Sequence, residues 1–280
     1  MRKHSAYNLL VRRNIFSVAS QPQSTNAKRD SFLQRLNSVC EAIPVSLGAD
    51  IDTAPLSDEG IPDISSNKLR EFRACQELLS SCRLSDLIDP QALSGSLAGG
   101  RWLLESLLRE NVCLGLLESR WAGKMDFDVA AFVIPAGGVM PIHGHAGMVV
   151  SSKVLHGQLD LTSFHSIGSD NNSSDGGDDG GLFPVEMTTQ RISAKDPAWF
   201  LSPAFRNIHR FAAAGDQACI VLDVLLPPYD HIVRRCDFYE VTSPTTNIND
   251  HTSTVTGGYR TSLRPIAAPN HLLPYAVSYP

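Results

Sequence analysis

Long apolar runs are missing from this chain of 280 residues. The most apolar stretch, Val129–Ile142, is broken by Pro135, Gly137 and Gly138. A bilayer-spanning helix needs about 20 consecutive apolar residues, so no membrane span is expected. A basic excess is missing too, since 24 Lys and Arg against 29 Asp and Glu give a formal charge of -5. Proteins that hold nucleic acid through its phosphates carry the opposite balance, so no nucleic-acid partner is expected. The six cysteines (Cys40, Cys75, Cys82, Cys113, Cys219 and Cys236) show no CxxC spacing. That argues against a zinc cage or a dense disulfide framework and leaves free thiols in a reducing compartment as the plain reading. What is present is a chain with 42% hydrophobic residues, long enough to bury a sizeable core in one large domain or two small ones.

The N-terminal residues 1–29 carry Arg2, Lys3, Arg12, Arg13, Lys28 and Arg29 and no acid, with Leu9, Leu10, Val11, Ile15 and Phe16 interleaved. The pattern fits an amphipathic mitochondrial transit segment and equally a basic disordered tail. A cytoplasmic location is expected, with a mitochondrial one as the alternative. Pro44, Gly48, Pro55, Gly60 and Pro62 then mark 41–67 as loop or linker. Residues 1–64 are therefore read as a disordered basic N-terminus and linker outside the fold.

A helix follows, because Leu69, Phe72, Cys75, Leu78, Leu79 and Cys82 recur at spacings of three and four, with Ser66 or Asn67 as its cap. Trp102, Leu103, Leu107 and Leu108 suggest a second short helix. Near Val112 the period changes. Phe127, Val129, Ala131 and Val133 alternate, as do Ile220, Leu222, Val224 and Leu226, and short apolar runs separated by turn residues lie between them. Many short strands at regular spacing predict an all-β sandwich or barrel, here with a short helical N-terminal extension. Residues 65–245 form this domain. The Gly/Ser/Asn/Asp segment 168–181 has no apolar residue and reads as a flexible insertion. Residues 246–280, with Pro265, Pro269, Pro274 and Pro280, read as an extended C-terminal tail.

The chemically informative segment is Pro141-Ile142-His143-Gly144-His145. Alternate residues of a strand point the same way, so His143 and His145 present two imidazoles to one face, able to share a metal ion. A third ligand must come from another strand. His209, in Asn207-Ile208-His209-Arg210-Phe211, is the best placed by alternation. His156 and His165 fall at polar strand ends, and His251 and His271 in the irregular tail. The bland alternative is a chance HxH in a chain with 9 histidines.

Residues 137–157 resemble the first cupin motif: Gly137, five residues, His143-x-His145, then Gly157. Val150 stands where most cupins place a glutamate ligand. With that departure, PIHGHAGMVVSSKVLHG resembles the cysteamine dioxygenase and plant cysteine oxidase family. NIHRF, carrying His209, is a second match. Leu222-Asp223-Val224-Leu225-Leu226-Pro227-Pro228-Tyr229-Asp230, followed by Arg235-Cys236-Asp237-Phe238-Tyr239, is the third. The resemblance spans about residues 65–242. It implies a double-stranded β-helix (cupin) barrel that binds one Fe(II) through His143, His145 and His209. The reaction it implies is addition of O2 to a thiol, either cysteamine or the N-terminal cysteine of a peptide, giving a sulfinic acid. A monomer is expected.

Three neutral imidazoles leave the charge of a divalent ion uncompensated, which favours a thiolate as the next ligand. A glutamate at position 150 would reduce that pull. The resemblance further implies that Asp223 holds the substrate ammonium, the bland reading being an acid capped by backbone at a strand end. Tyr229, after Pro227-Pro228, walls the pocket or simply packs in the core. Animal members carry a cysteine at the Cys236 position that crosslinks to a tyrosine two residues on. That position is Phe238 here, and the parity of Tyr239 points it the other way. Two other classes stay open on sequence: a non-enzymatic metal-binding cupin module, and a metal-dependent cupin isomerase.

Overall fold

The structure, a computed structural model, describes residues 23–57, 60–87, 114–121, 127–166, 182–229, 234–242, 246–247 and 259–267. The second short helix expected near Trp102, the insertion 168–181 and the basic residues before 23 lie outside these.

Two helices occupy the stretch read as tail and linker. Helix α1 (Gln23–Cys40) buries Phe32, Leu33, Leu36 and Cys40, and α2 (Leu47–Asp52) buries Leu47 and Ile51. The assignment of residues 1–64 to disorder and linker is therefore corrected for its described part. The apolar residues of α1 recur along one face of a helix and need a partner surface. A 3-10 turn (Asn67–Leu69) leads into α3 (Arg70–Ser81), with the Ser66 hydroxyl accepting from the Lys68 N–H, as sequence spacing suggested. A short α4 (Leu84–Leu87) comes next.

The β part begins with β1 (Leu114–Trp121), β2 (Phe127–Ile134), β3 (Val139–His145), β4 (Val149–His156), β5 (Gln158–Ser166) and β6 (Phe183–Ser193). It continues with β7 (Trp199–Leu201), β8 (Ile208–Ala213), β9 (Cys219–Leu226), β10 (Cys236–Val241), β11 (Thr246–Asn247) and β12 (Tyr259–Ile266). Two antiparallel sheets face one another, in the orders β1-β2-β9-β4-β7 and β10-β3-β8-β5-β6-β12-β11. From β2 to β5 and again from β6 to β10, successive strands alternate between the two sheets, which makes the double-stranded β-helix of a cupin barrel. At the turn that carries the chain from β4 in one sheet to β5 in the other, Gly157 has φ +73, and a Cβ there would collide with the Ala218 carbonyl. Only glycine fits that turn.

Side-chain parity divides the interior into layers. The outward residues of β2 and β9 (Phe127, Val129, Ala131, Ile220, Leu222, Val224) pack with α1, α2 and α3 in one large apolar core. Specific contacts dock the helices. The Phe72 ring meets Phe200 edge-on at 5.4 Å, and the Gln76 amide donates to the Ser151 hydroxyl at 2.5 Å. Asp52 accepts from Ser202 and, at 3.2 Å, from the Ala204 N–H. The space between the sheets holds Ile134, Val154, Leu161, Phe211 and Val221.

A third core lies behind the second sheet. Strand β12 pairs with β6 on one edge and with β10 on the other, so β10, β3, β8, β5, β6 and β12 close into a ring. Ile142, Phe164, Val185, Ile208, Tyr239 and Leu263, one from each of the six strands, fill its interior. Within residues 246–280, read as an extended tail, 259–266 is thus a stave of the sheet. Among the described residues no helix is long and apolar enough to cross a membrane.

Candidate metal centre

His143 and His145 end β3, and His209 is the second residue of β8. The ladder between these strands sets His143 directly opposite His209. All three side chains point into the space between the sheets, at 6%, 3% and 1% exposure. Their ring centroids lie 5.0, 4.4 and 5.0 Å apart, with the His145 and His209 planes within 8°. One nitrogen from each lies within 4.8 Å of the other two. Sequence alternation placed these residues on one face, and the fold brings them together.

Burial holds all three imidazoles below the ordinary histidine range. The His143 and His209 charges add to that effect at His145, and the His143 charge does so at His209. All three are therefore neutral near pH 7, the form that ligates metal. The Pro141 carbonyl accepts from His143 Nδ1 at 2.9 Å, which leaves Nε2 to face the cluster. The Tyr229 hydroxyl lies 2.5 Å from His145 Nδ1 and 3.4 Å from the Gly144 carbonyl. His145 Nε2 and both nitrogens of His209 are buried without a hydrogen-bond partner in the protein. Buried polar atoms of this kind are rare in folded proteins, and a metal ion would satisfy His145 Nε2 and one of the two His209 nitrogens. The donor set fits a three-histidine metal site, with the other ring nitrogens of His143 and His145 oriented from behind as metal-binding histidines usually are.

The opposite wall is the first sheet. Val150 faces inward and packs with Met148, Leu201 and Leu225, so no carboxylate reaches the metal site from that position. Asp223 lies on β9 opposite Ser152 of β4. It is 5% exposed. Burial pushes its carboxyl up to about 7, with the neighbouring Ser152 hydroxyl acting in the opposite direction. Tyr229 packs on the Val150 cluster and touches both His145 and the Cys236 thiol, so it does more than fill the core. Burial pushes Cys236 up to about 11. Tyr239 turns away into the ring behind the sheet, while Phe238 lies 6.3 Å from His143. Of the other histidines, His156 is exposed, the His165 ring lies tilted against Phe205 at 6.1 Å, and His4, His231, His251 and His271 lie outside the described residues. Ser152 and Asn207, both in contact with this constellation, carried no chemical signal in the sequence.

The PCO_ADO family model matches residues 122–280, more than half of the chain. The chain belongs to this family. Among curated proteins, the "Probable 2-aminoethanethiol dioxygenase" of Dictyostelium discoideum is 36% identical over 44% of this chain and 55% of its own length. The Arabidopsis thaliana proteins plant cysteine oxidase 2 and plant cysteine oxidase 1 are 32% and 38% identical, over 40% and 37% of their lengths. The chain thus spans about half or less of the curated relatives it matches. Among solved structures, the Schizosaccharomyces pombe Cnp3 cupin domain is 14% identical over 40% of this chain and 60% of that one, with a TM-score of 0.28.

Proposed function

We propose that the protein is an Fe(II)-dependent thiol dioxygenase. Its reaction is RSH + O2 → RSO2H, with the N-terminal cysteine of a peptide or protein, or cysteamine, as the thiol. The observation that carries this reading is the donor set: three buried neutral imidazoles with an apolar Val150 where a carboxylate ligand would otherwise stand. His143, His145 and His209 would hold the ion. Bound Fe(II) would supply a centre that acidifies the thiol and brings oxygen to it.

The chain's own residues do the rest. The three imidazoles add no negative charge, so the anionic sulfur of the substrate is the group that balances the ion. Asp223 faces the same space from the opposite sheet. A substrate ammonium beside it would favour its ionised form, and the pair would orient the thiol toward the histidines. Tyr229 keeps the His145 ring turned so that Nε2 faces the site. The apolar wall of Met148, Val150, Leu201 and Leu225 excludes water from the reacting sulfur.

Mass spectrometry tests the reading. Iron-loaded protein is incubated in air with a Cys-initiated peptide, with cysteamine and with free cysteine. A gain of two oxygen atoms on the peptide or on cysteamine is expected, with matching oxygen uptake. Iron binding without oxygen uptake on any thiol would leave a non-enzymatic module, and turnover without oxygen would mean a different metal enzyme.

A further inference from the structure

We propose that Asn207 is a positioning residue of the metal site, its carboxamide standing in for a missing backbone pairing between the strands that carry the histidines. The β3–β8 ladder sets His143 opposite His209. Continued by two residues, it would set His145 opposite residue 207. Strand β8 starts only at Ile208, so the backbone pairing stops before it reaches His145. Arg206, just before, has φ 56, a left-handed conformation that bends the chain out of the strand and is uncommon for any residue but glycine. The bend is held by reciprocal Ser202–Phe205 backbone bonds of 2.9 and 3.1 Å.

The side chain of Asn207 completes what the backbone leaves off. Its Oδ1 accepts from the His145 N–H at 2.9 Å, and its Nδ2 donates to the His145 carbonyl at 2.7 Å. The partners fix the orientation of the amide, since an N–H must meet the oxygen and a carbonyl must meet the NH2. One residue thus clamps the backbone of one candidate ligand two positions before another, although 62 residues separate the clamped pair. Tyr229 orients the His145 ring, whereas Asn207 sets where His145 itself stands relative to His209. Backbone strain at such a point is a recurring mark of functional sites.

This inference rests on the three-histidine site and not on the identity of the metal or the thiol, so Co(II) alone serves as the probe. Wild type, Asn207→Leu and Asn207→Asp are titrated with Co(II), and the visible d–d bands are recorded at saturation. Asn207→Leu, which removes both bonds, is expected to bind 10- to 100-fold more weakly and to show altered bands. Asn207→Asp keeps the acceptor for the His145 N–H and loses the donor, so a smaller loss is expected; it also serves if the leucine variant does not fold. Leu36→Ala, in the distant helical layer, controls for general destabilisation: its melting temperature should fall while its bands stay as in wild type. Wild-type affinity and bands in both Asn207 variants would overturn the proposal and leave the metal site standing. Failure of the wild type to bind Co(II) would remove the site and this proposal together.

Discussion

The Tyr229 hydroxyl lies 2.5 Å from Nδ1 of His145, joining the segment after β9 to the strand that supplies two imidazoles. With Nε2 reserved for metal, Nδ1 carries the proton and donates to the phenol oxygen. The phenol proton is then free to point at the Gly144 carbonyl, 3.4 Å away. Tyr229→Phe removes that chain and little volume. Metal affinity should fall by about tenfold, the usual effect of losing such an outer partner. Metal-free stability should fall by no more than about 1–3 kcal/mol, the cost of leaving a buried polar group unpaired. Calorimetric metal titration beside a thermal melt checks both, and an unchanged affinity would reduce Tyr229 to a packing residue.

Asp223 gives a stability signature in the metal-free protein. Its folded value, about 7, lies above the ordinary 3.8. The folded state therefore holds a proton that the unfolded chain has released, so this group costs stability as pH rises from about 4 to about 7. Asp223→Asn cannot ionise. It should be more stable than wild type at pH 8, by at most about 4 kcal/mol, with the gap closing by about pH 4. Urea unfolding at the two pH values measures this. A gap independent of pH would show that the carboxyl titrates normally.

The histidines have the opposite sign. Burial lowers the values of His143, His145 and His209, so the neutral, metal-binding forms persist below the pH of about 6.5 at which an exposed imidazole gains its proton. Bound metal should stay near one equivalent at about pH 6 and be released only in stronger acid. Metal analysis after dialysis over a pH series tests this, and half-release near pH 6.5 would contradict the burial argument.

The N-terminal helices should behave as part of the barrel. Leu36 is 1% exposed, in the core shared by α1 and the first sheet. Leu36→Ala should cost about 2–5 kcal/mol in a single cooperative transition. An earlier separate transition for the helices would mean that they fold apart from the sheets.

The strands and the histidine face were legible because alternation is local: Phe127 to Val133 and Ile220 to Leu226 announce their buried faces two residues at a time. Helix α1 was not. Phe32, Leu33, Leu36 and Cys40 sit among polar residues, and the basic run before them with the prolines after them spoke for tail and linker; its partner surface, the helices α3 and α4, follows only after that linker. Strand β12 was hidden for a related reason. Only Thr261 and Leu263 are buried among Arg260, Arg264 and Pro265, and pairing on both edges makes it a strand. Asn207 and Ser152 depend on register, which spacing within one segment does not reveal.

The closure of β12 onto β10 bears on how a peptide can be read. Strand β3 is flanked by β10 and β8, and β8 by β3 and β5. Neither strand that carries a histidine keeps a free edge along its ladder, so an incoming polypeptide cannot extend the sheet by adding itself as another strand. A peptide substrate of the proposed kind would have to be held there by other contacts than strand pairing.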